Sequence, residues 1–119
     1  ITGPGHKVIF PFALKVDPGR IKDFVELKEK SISFTRDFVK GETVNLGRIS
    51  GFSNDASDYD IRFENHTTGA GVRVTADKPL SSLIFWASLK VFSAEPYISI
   101  KIEPGQEFNW TYTYEFYTL

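Results

Sequence analysis

The sequence predicts an all-β protein, a mostly antiparallel β-sandwich formed by a single domain of residues 1–119. Aromatic residues make up 15% of the chain, and flat rings pack well on a pleated sheet. Apolar and polar residues alternate in several short stretches, and turn-forming residues separate these stretches. A chain of this length buries roughly two thirds of the surface that its unfolded form exposes, so it can form a core.

Strand signals in the first half of the chain begin with the apolar run at residues 7–12. Pro11 lacks a backbone N–H, which indicates that this strand lies at a sheet edge or ends at a bulge. Asp17-Pro18-Gly19 then predicts a turn, because proline presets φ and glycine accepts a positive φ.

The next segments are more ambiguous. The apolar spacing within residues 20–40 predicts a short helical turn followed by a strand at about 30–35. Residues 41–58 are rich in Gly, Ser, Asn and Asp, and they predict a long loop interrupted by one short strand near 44–49.

The alternation that predicts strands becomes clearer from residue 58 onwards. Residues 59–64 and 72–74 alternate between apolar and polar side chains, which predicts two half-buried strands joined by a glycine-containing turn. The continuous apolar run at 83–86 predicts a strand buried on both faces.

The end of the chain is the most aromatic part. Residues 97–102 predict a strand with three isoleucines on one face, and Pro104-Gly105 predicts a turn. Over residues 108–116 every second side chain is aromatic, so this strand is expected to turn its aromatic face into the core or onto a ligand.

Composition excludes several functional classes. The chain has no cysteine, which excludes disulfides, thiolate zinc sites and cysteine nucleophiles. No phosphate loop or cluster of metal ligands occurs, so neither a metal nor another cofactor is expected. The net charge is −1 without a basic tract, and no apolar run approaches the ~20 residues that span a bilayer. Nucleic acid and membrane are therefore poor partners, whereas a cytoplasmic, periplasmic or secreted location stays open.

Residues 58–119 resemble the closing region of aldose 1-epimerases and other galactose-mutarotase-like proteins. In that family a strand, a glycine-containing turn, a second strand and an apolar strand facing the sugar follow one another. A functional Glu, a Pro-Gly-polar turn and a strand ending in Tyr-x-Phe then close the domain. The segments that carry the resemblance are 59–65, 68–74, 76–80, 83–86, Ala94-Glu95-Pro96, 103–106 and 112–116.

The first half resembles the family less. Residues 5–10 are similar to a His-x-x-Phe stretch around a catalytic histidine, but the Tyr-Phe-Asn sequence typical there is missing. The resemblance implies a portion of a mutarotase-like supersandwich, since complete members are roughly twice as long. The C-terminal portion of a longer domain is therefore expected, with either a missing N-terminal segment or a homo-oligomer supplying the neighbouring strands.

The resemblance also implies a chemistry. Mutarotases open a sugar ring with a base at the anomeric hydroxyl and an acid at the ring oxygen. It assigns the base to Glu95, the acid to His6, and sugar binding to Trp86 and Asp77, with a small-molecule sugar as the partner. From the residues alone, an exposed carboxylate at a strand start is an alternative interpretation of Glu95, and a loop histidine is an alternative interpretation of His6.

Three functions stay open at this point: an aldose 1-epimerase-like isomerase, a non-catalytic carbohydrate-binding sandwich, and a structural β domain of a larger glycan-processing protein. Convergence of an acid and a base on one cleft distinguishes the first from the second. A cleft beside Glu95 and Trp86 distinguishes both from the third.

Overall fold

The computed structural model describes residues 1–119 as nine β-strands and two short 3₁₀ helices. All strand pairs are antiparallel, which confirms the predicted all-β class. The strands are β1 (His6–Ile9), β2 (Val25–Lys28), β3 (Ser31–Phe34), β4 (Thr43–Arg48), β5 (Asp60–Asn65), β6 (Ala70–Ala76), β7 (Ser82–Ser88), β8 (Phe92–Tyr97) and β9 (Tyr112–Thr118); the 3₁₀ helices are Pro18–Arg20 and Ala56–Asp58.

The strands form two sheets of unequal size. The large sheet has six strands in the order β2-β3-β1-β5-β6-β9, and the small sheet has three in the order β4-β7-β8. One core of 18 buried residues joins the facing sides of the two sheets. Aromatic contacts cross between the sheets, with ring centroids 6.5 Å apart for Phe34 and Phe85 and 6.1 Å apart for Phe63 and Phe92.

β1 lies in the middle of the large sheet, between β3 and β5, so the prediction of an edge strand was wrong. The strand ends at Ile9, and Pro11 lies beyond it. Because Pro11 lies outside the ladder, its lack of an N–H removes no hydrogen bond from the sheet. Pro11 therefore does not restrict β1 to a sheet edge.

Residues 20–40 form a β-hairpin, β2 and β3, where a helical turn and a single strand were predicted. The strand at about 30–35 is confirmed as β3, but the segment expected to be helical contains β2. The helical turn that does form lies earlier, at Pro18–Arg20, where the Asp17 side chain accepts a hydrogen bond from Gly19 N. Pairing with β3 outweighs the weak helical periodicity, since a ladder satisfies the backbone along the whole segment. The short strand predicted near residues 44–49 is confirmed as β4.

β7 is buried on one face only, which corrects the prediction for residues 83–86. Leu83, Phe85 and Ala87 are fully buried against the large sheet. Ile84 and Trp86 point to the other side of the small sheet and are half-buried. No third layer covers that side, so two successive apolar residues meet two different environments.

The segment after β8 differs from its prediction. β8 ends at Tyr97, and residues 98–111 contain no strand. Ile100 and Ile102 are exposed, so the three isoleucines do not form a buried strand face. The turn at Pro104-Gly105 is confirmed, with Gly105 at a φ of 80°.

The aromatic face of β9 is largely exposed, so the prediction that it is core was wrong. Tyr114 and Phe116 pair with Val74 and Val72 of β6, and directly opposite residues share a face. Their side chains therefore continue the core-facing side of the large sheet, yet Phe116 is 80% exposed and Tyr114 61% exposed. The reason is that the small sheet ends at β8, and the large sheet extends beyond it. We call Tyr112, Tyr114 and Phe116 the aromatic overhang.

Candidate functional site

β8 separates the predicted catalytic residues. Ala94 is buried, and with Pro96 it lines a cavity of about 360 Å³ between the sheets, so this side of the strand faces the large sheet. Successive side chains of a strand point to opposite faces. Glu95 therefore lies on the outer face of the small sheet, where its register partner is Ile84 of β7.

The carboxylate of Glu95 is exposed and has one side-chain partner, the Tyr97 hydroxyl, which donates a hydrogen bond to it at 3.1 Å. That hydrogen bond raises the pKa of Tyr97, and the negative charge of Glu95 adds to the effect. The arrangement provides an accessible acceptor for a hydroxyl group.

His6 lies on the other side of β8, between the sheets. Its ring packs edge-on against Phe92 with centroids 5.1 Å apart, and its Nδ1 accepts a hydrogen bond from Gly3 N at 3.2 Å. The ring also lines a cavity of about 280 Å³ together with Phe63 and Phe116. His6 therefore lies on the core-facing side of β8 and not on the face that carries Glu95.

Asp77 has a structural role at the end of β6. Its Oδ1 accepts a hydrogen bond from Thr111 N at 3.0 Å, and its own backbone N–H donates to Thr111 O at 3.2 Å. This reciprocal pair fixes the segment that leads into β9. Asp77 is thus separated from Trp86, with which the sequence grouped it.

Trp86 borders an open cleft on the outer face of the small sheet. The indole is half-buried and the cleft has a volume of about 650 Å³; we call it the Trp86 cleft. Trp86 pairs with Ser93 of β8, so Glu95 is its diagonal neighbour at a typical separation of about 7–8 Å. The other residues lining the cleft are Lys40, Gly41, Glu42, Thr43, Ser88, Leu89 and Lys90.

Several polar residues of this face were missed by the sequence reasoning. Thr43 and Ser88 face each other across β4 and β7, and Asn45 lies opposite Trp86. The ladder shifts register between Asn45 and Gly47, where the Asn45 side chain accepts a hydrogen bond from Gly47 N at 2.8 Å. Such a bulge changes which residues share a face. Asn45 and Gly47, which one residue separates, were the available sequence signal, but they also fitted an ordinary loop.

The described chain contains no group of three or more metal-ligating side chains suited to hold a metal ion. It also contains no helix of the length and hydrophobicity needed to cross a bilayer. Comparison with protein-family models, with curated proteins and with solved structures finds no match to this chain.

Proposed function

We propose that this domain binds carbohydrate without transforming it, through the outer face of the small sheet. The observation that carries the proposal is the shared face of Trp86 and Glu95, with a half-buried indole at the edge of a cleft of about 650 Å³. The C–H-rich face of a pyranose packs on an aromatic plane, while its hydroxyls require acceptors and donors around that plane. Sites for small ligands combine an apolar surface with a few polar groups in this manner.

The polar groups of the proposed site are supplied by three adjacent strands. Thr43 and Ser88 provide hydroxyls at one end of the indole. Glu95, with Tyr97 bonded to it, provides a carboxylate at the other end. A sugar ring on Trp86 would have hydrogen-bonding partners on two sides, and the resemblance of residues 58–119 to aldose 1-epimerases also favours a sugar as the ligand.

Non-catalytic binding is favoured because Glu95 and His6 lie on opposite sides of β8. A general acid or base must come within about 2.6–3.2 Å of the atom it serves, or act through one water. One pyranose on the outer face has no access to His6, which packs against Phe92 between the sheets. Mutarotation on this face thus lacks the histidine that the resemblance assigns as its acid.

Calorimetry and tryptophan fluorescence with galactose and glucose test the proposal. We expect saturable binding that Trp86→Ala abolishes and that Trp110→Ala retains. Trp110 is a suitable control because it packs against Phe108 and Tyr112, next to β9. Polarimetry on freshly dissolved α-galactose should show no acceleration. Acceleration that Glu95→Gln removes would favour the isomerase instead, and absence of sugar binding would leave a structural role.

The aromatic overhang favours a second candidate function, self-association of the chain. Its three side chains expose roughly 350 Å² if each aromatic contributes about 200 Å², and they adjoin the free edge of β8. Ile100 and Ile102 form another exposed apolar strip on the same molecule, so a second copy offers a complementary surface. The area falls below the ~800 Å² per partner of a stable complex, and weak association is therefore expected. Sedimentation equilibrium tests this association. A monomer at all concentrations would exclude a second copy as the partner, and the overhang would then have to be covered by another segment.

A further inference from the structure

Two lysines at one end of the Trp86 cleft lack a negative partner. Lys40 precedes β4 and Lys90 lies between β7 and β8, and both line the cleft. Neither side chain takes part in any of the salt bridges of the structure. Two lysine residues therefore line the same cleft from two different loops.

Glu42 is the one acidic residue that lines the cleft, and its charge is already compensated. Its two carboxylate oxygens accept hydrogen bonds from the Arg36 guanidinium at 2.8 Å each, and Val39 N donates to one of them at 2.8 Å. These bonds to Arg36 and Val39 lower the pKa of Glu42 to about 2. A bidentate arginine pair of this kind is geometrically specific, so Glu42 is not free to neutralise the lysines.

A third cation adds to the positive field at this end. The Lys22 ammonium donates a hydrogen bond to the carbonyl oxygen of Thr43 at 2.6 Å. Thr43 lines the cleft, and its register partner Ser88 lies beside it. The acidic groups near this end are Glu42 and Asp23, and Lys22, Arg36, Lys40 and Lys90 outnumber them. The end of the cleft beyond Thr43 and Ser88 thus combines two hydroxyls with an excess of positive charge.

The opposite end of the indole carries charges of both signs, because Arg48 of β4 and Glu95 of β8 both pair with Ile84. Glu95 is level with Ile84, two residues away from Trp86 in the direction opposite to Ser88. A ligand lying across Trp86 therefore meets one charge of each sign on one side and the two lysines on the other. This difference favours an anionic group at the lysine end, because opposite charges attract.

On this basis, and resting on the proposed function, we propose that the Trp86 cleft selects acidic sugars, with the sugar ring on Trp86 and its carboxylate directed to Lys40 and Lys90. A uronate differs from the corresponding neutral hexose by one carboxylate, which gains charge-assisted hydrogen bonds here. Both lysines are near solvent, where an ion pair contributes modestly. The expected preference is about tenfold in Kd at low salt.

Calorimetry with four probes tests the proposal: glucose, glucuronate, galactose and galacturonate at neutral pH. The intact chain should bind each uronate about tenfold more tightly than its neutral counterpart, and added salt should reduce this preference through screening. The double variant Lys40→Gln/Lys90→Gln should bind both members of a pair alike. Lys30→Gln serves as the control, because Lys30 is exposed in the turn between β2 and β3.

The outcomes distinguish this proposal from the one on which it rests. Equal binding of neutral and acidic sugars by the intact chain would overturn the acidic preference and leave carbohydrate binding in place. A preference that survives in the double variant would also overturn it, because the lysines would then not be its source. Failure of all four sugars to bind would overturn both proposals.

Discussion

Replacement of Phe116 by alanine should cost the monomeric chain little stability, although this residue belongs to the most regular aromatic pattern in the sequence. Phe116 is 80% exposed, so only about a fifth of its roughly 200 Å² of side-chain surface leaves water on folding. At ~25 cal/mol per Å², the burial of ~40 Å² contributes about 1 kcal/mol. Phe85 offers a matched comparison, because it is 0% exposed between the two sheets. Removing a buried phenylalanine typically costs about 3–5 kcal/mol.

Equilibrium urea unfolding of the two variants and of the unmodified chain measures this difference. The measurement should be made at a concentration where sedimentation shows a monomer, and then repeated at higher concentrations. A loss at Phe116 as large as that at Phe85 in the monomer would refute the reasoning, because it would require the overhang to be covered within one chain. A cost at Phe116 that grows only with protein concentration would instead indicate coverage by a second copy.

Two further predictions concern local interactions. The pKa of Glu42 is lowered from 4.5 to about 2 by its hydrogen bonds to Arg36 and Val39; its stabilising effect should therefore be complete above pH 4.5 and decline as the pH falls towards 2. Urea unfolding across that range should show less of this decline in Arg36→Gln, and an identical pH dependence in both proteins would contradict the assignment. Gly71→Ala should destabilise the chain by about 1–3 kcal/mol, because a Cβ there would lie 2.5 Å from the Tyr117 ring. The cost should shrink in a Tyr117→Ser background, and an unchanged cost would show that the ring is not its cause.

The local sequence pattern was sufficient to predict a strand where its two faces differ strongly in polarity. β5 was predictable because Ile61 and Phe63 alternate with charged residues, and β4 because a short apolar stretch interrupts a polar loop. The turn at Pro104-Gly105 followed from backbone preferences alone. In each case the information lies within a few residues, so neighbouring strands were not needed to read it.

The candidate site was predictable in part for the same reason. Trp86 and Glu95 were singled out from the order of segments around them, and the fold brings them to one face of the small sheet. Lys40 and Lys90 gave no signal, since they lie in loops far apart in sequence and meet only through the pairing of β4 with β7. His6 was grouped with Glu95 on the basis of a resemblance, which carries no information about which side of β8 each occupies.

The sequence by itself determined the all-β class, the positions of most strands and the alternation of their side chains. Tertiary structure alone decided what covers each face. Alternation requires Phe116 to share a side with the core residues of β6, but the burial of that side depends on a second sheet that ends at β8. It likewise decided that β1 is central and that His6 and Glu95 lie apart. The physical reason is that side-chain period depends on local backbone geometry, whereas burial depends on contacts between segments distant in the chain.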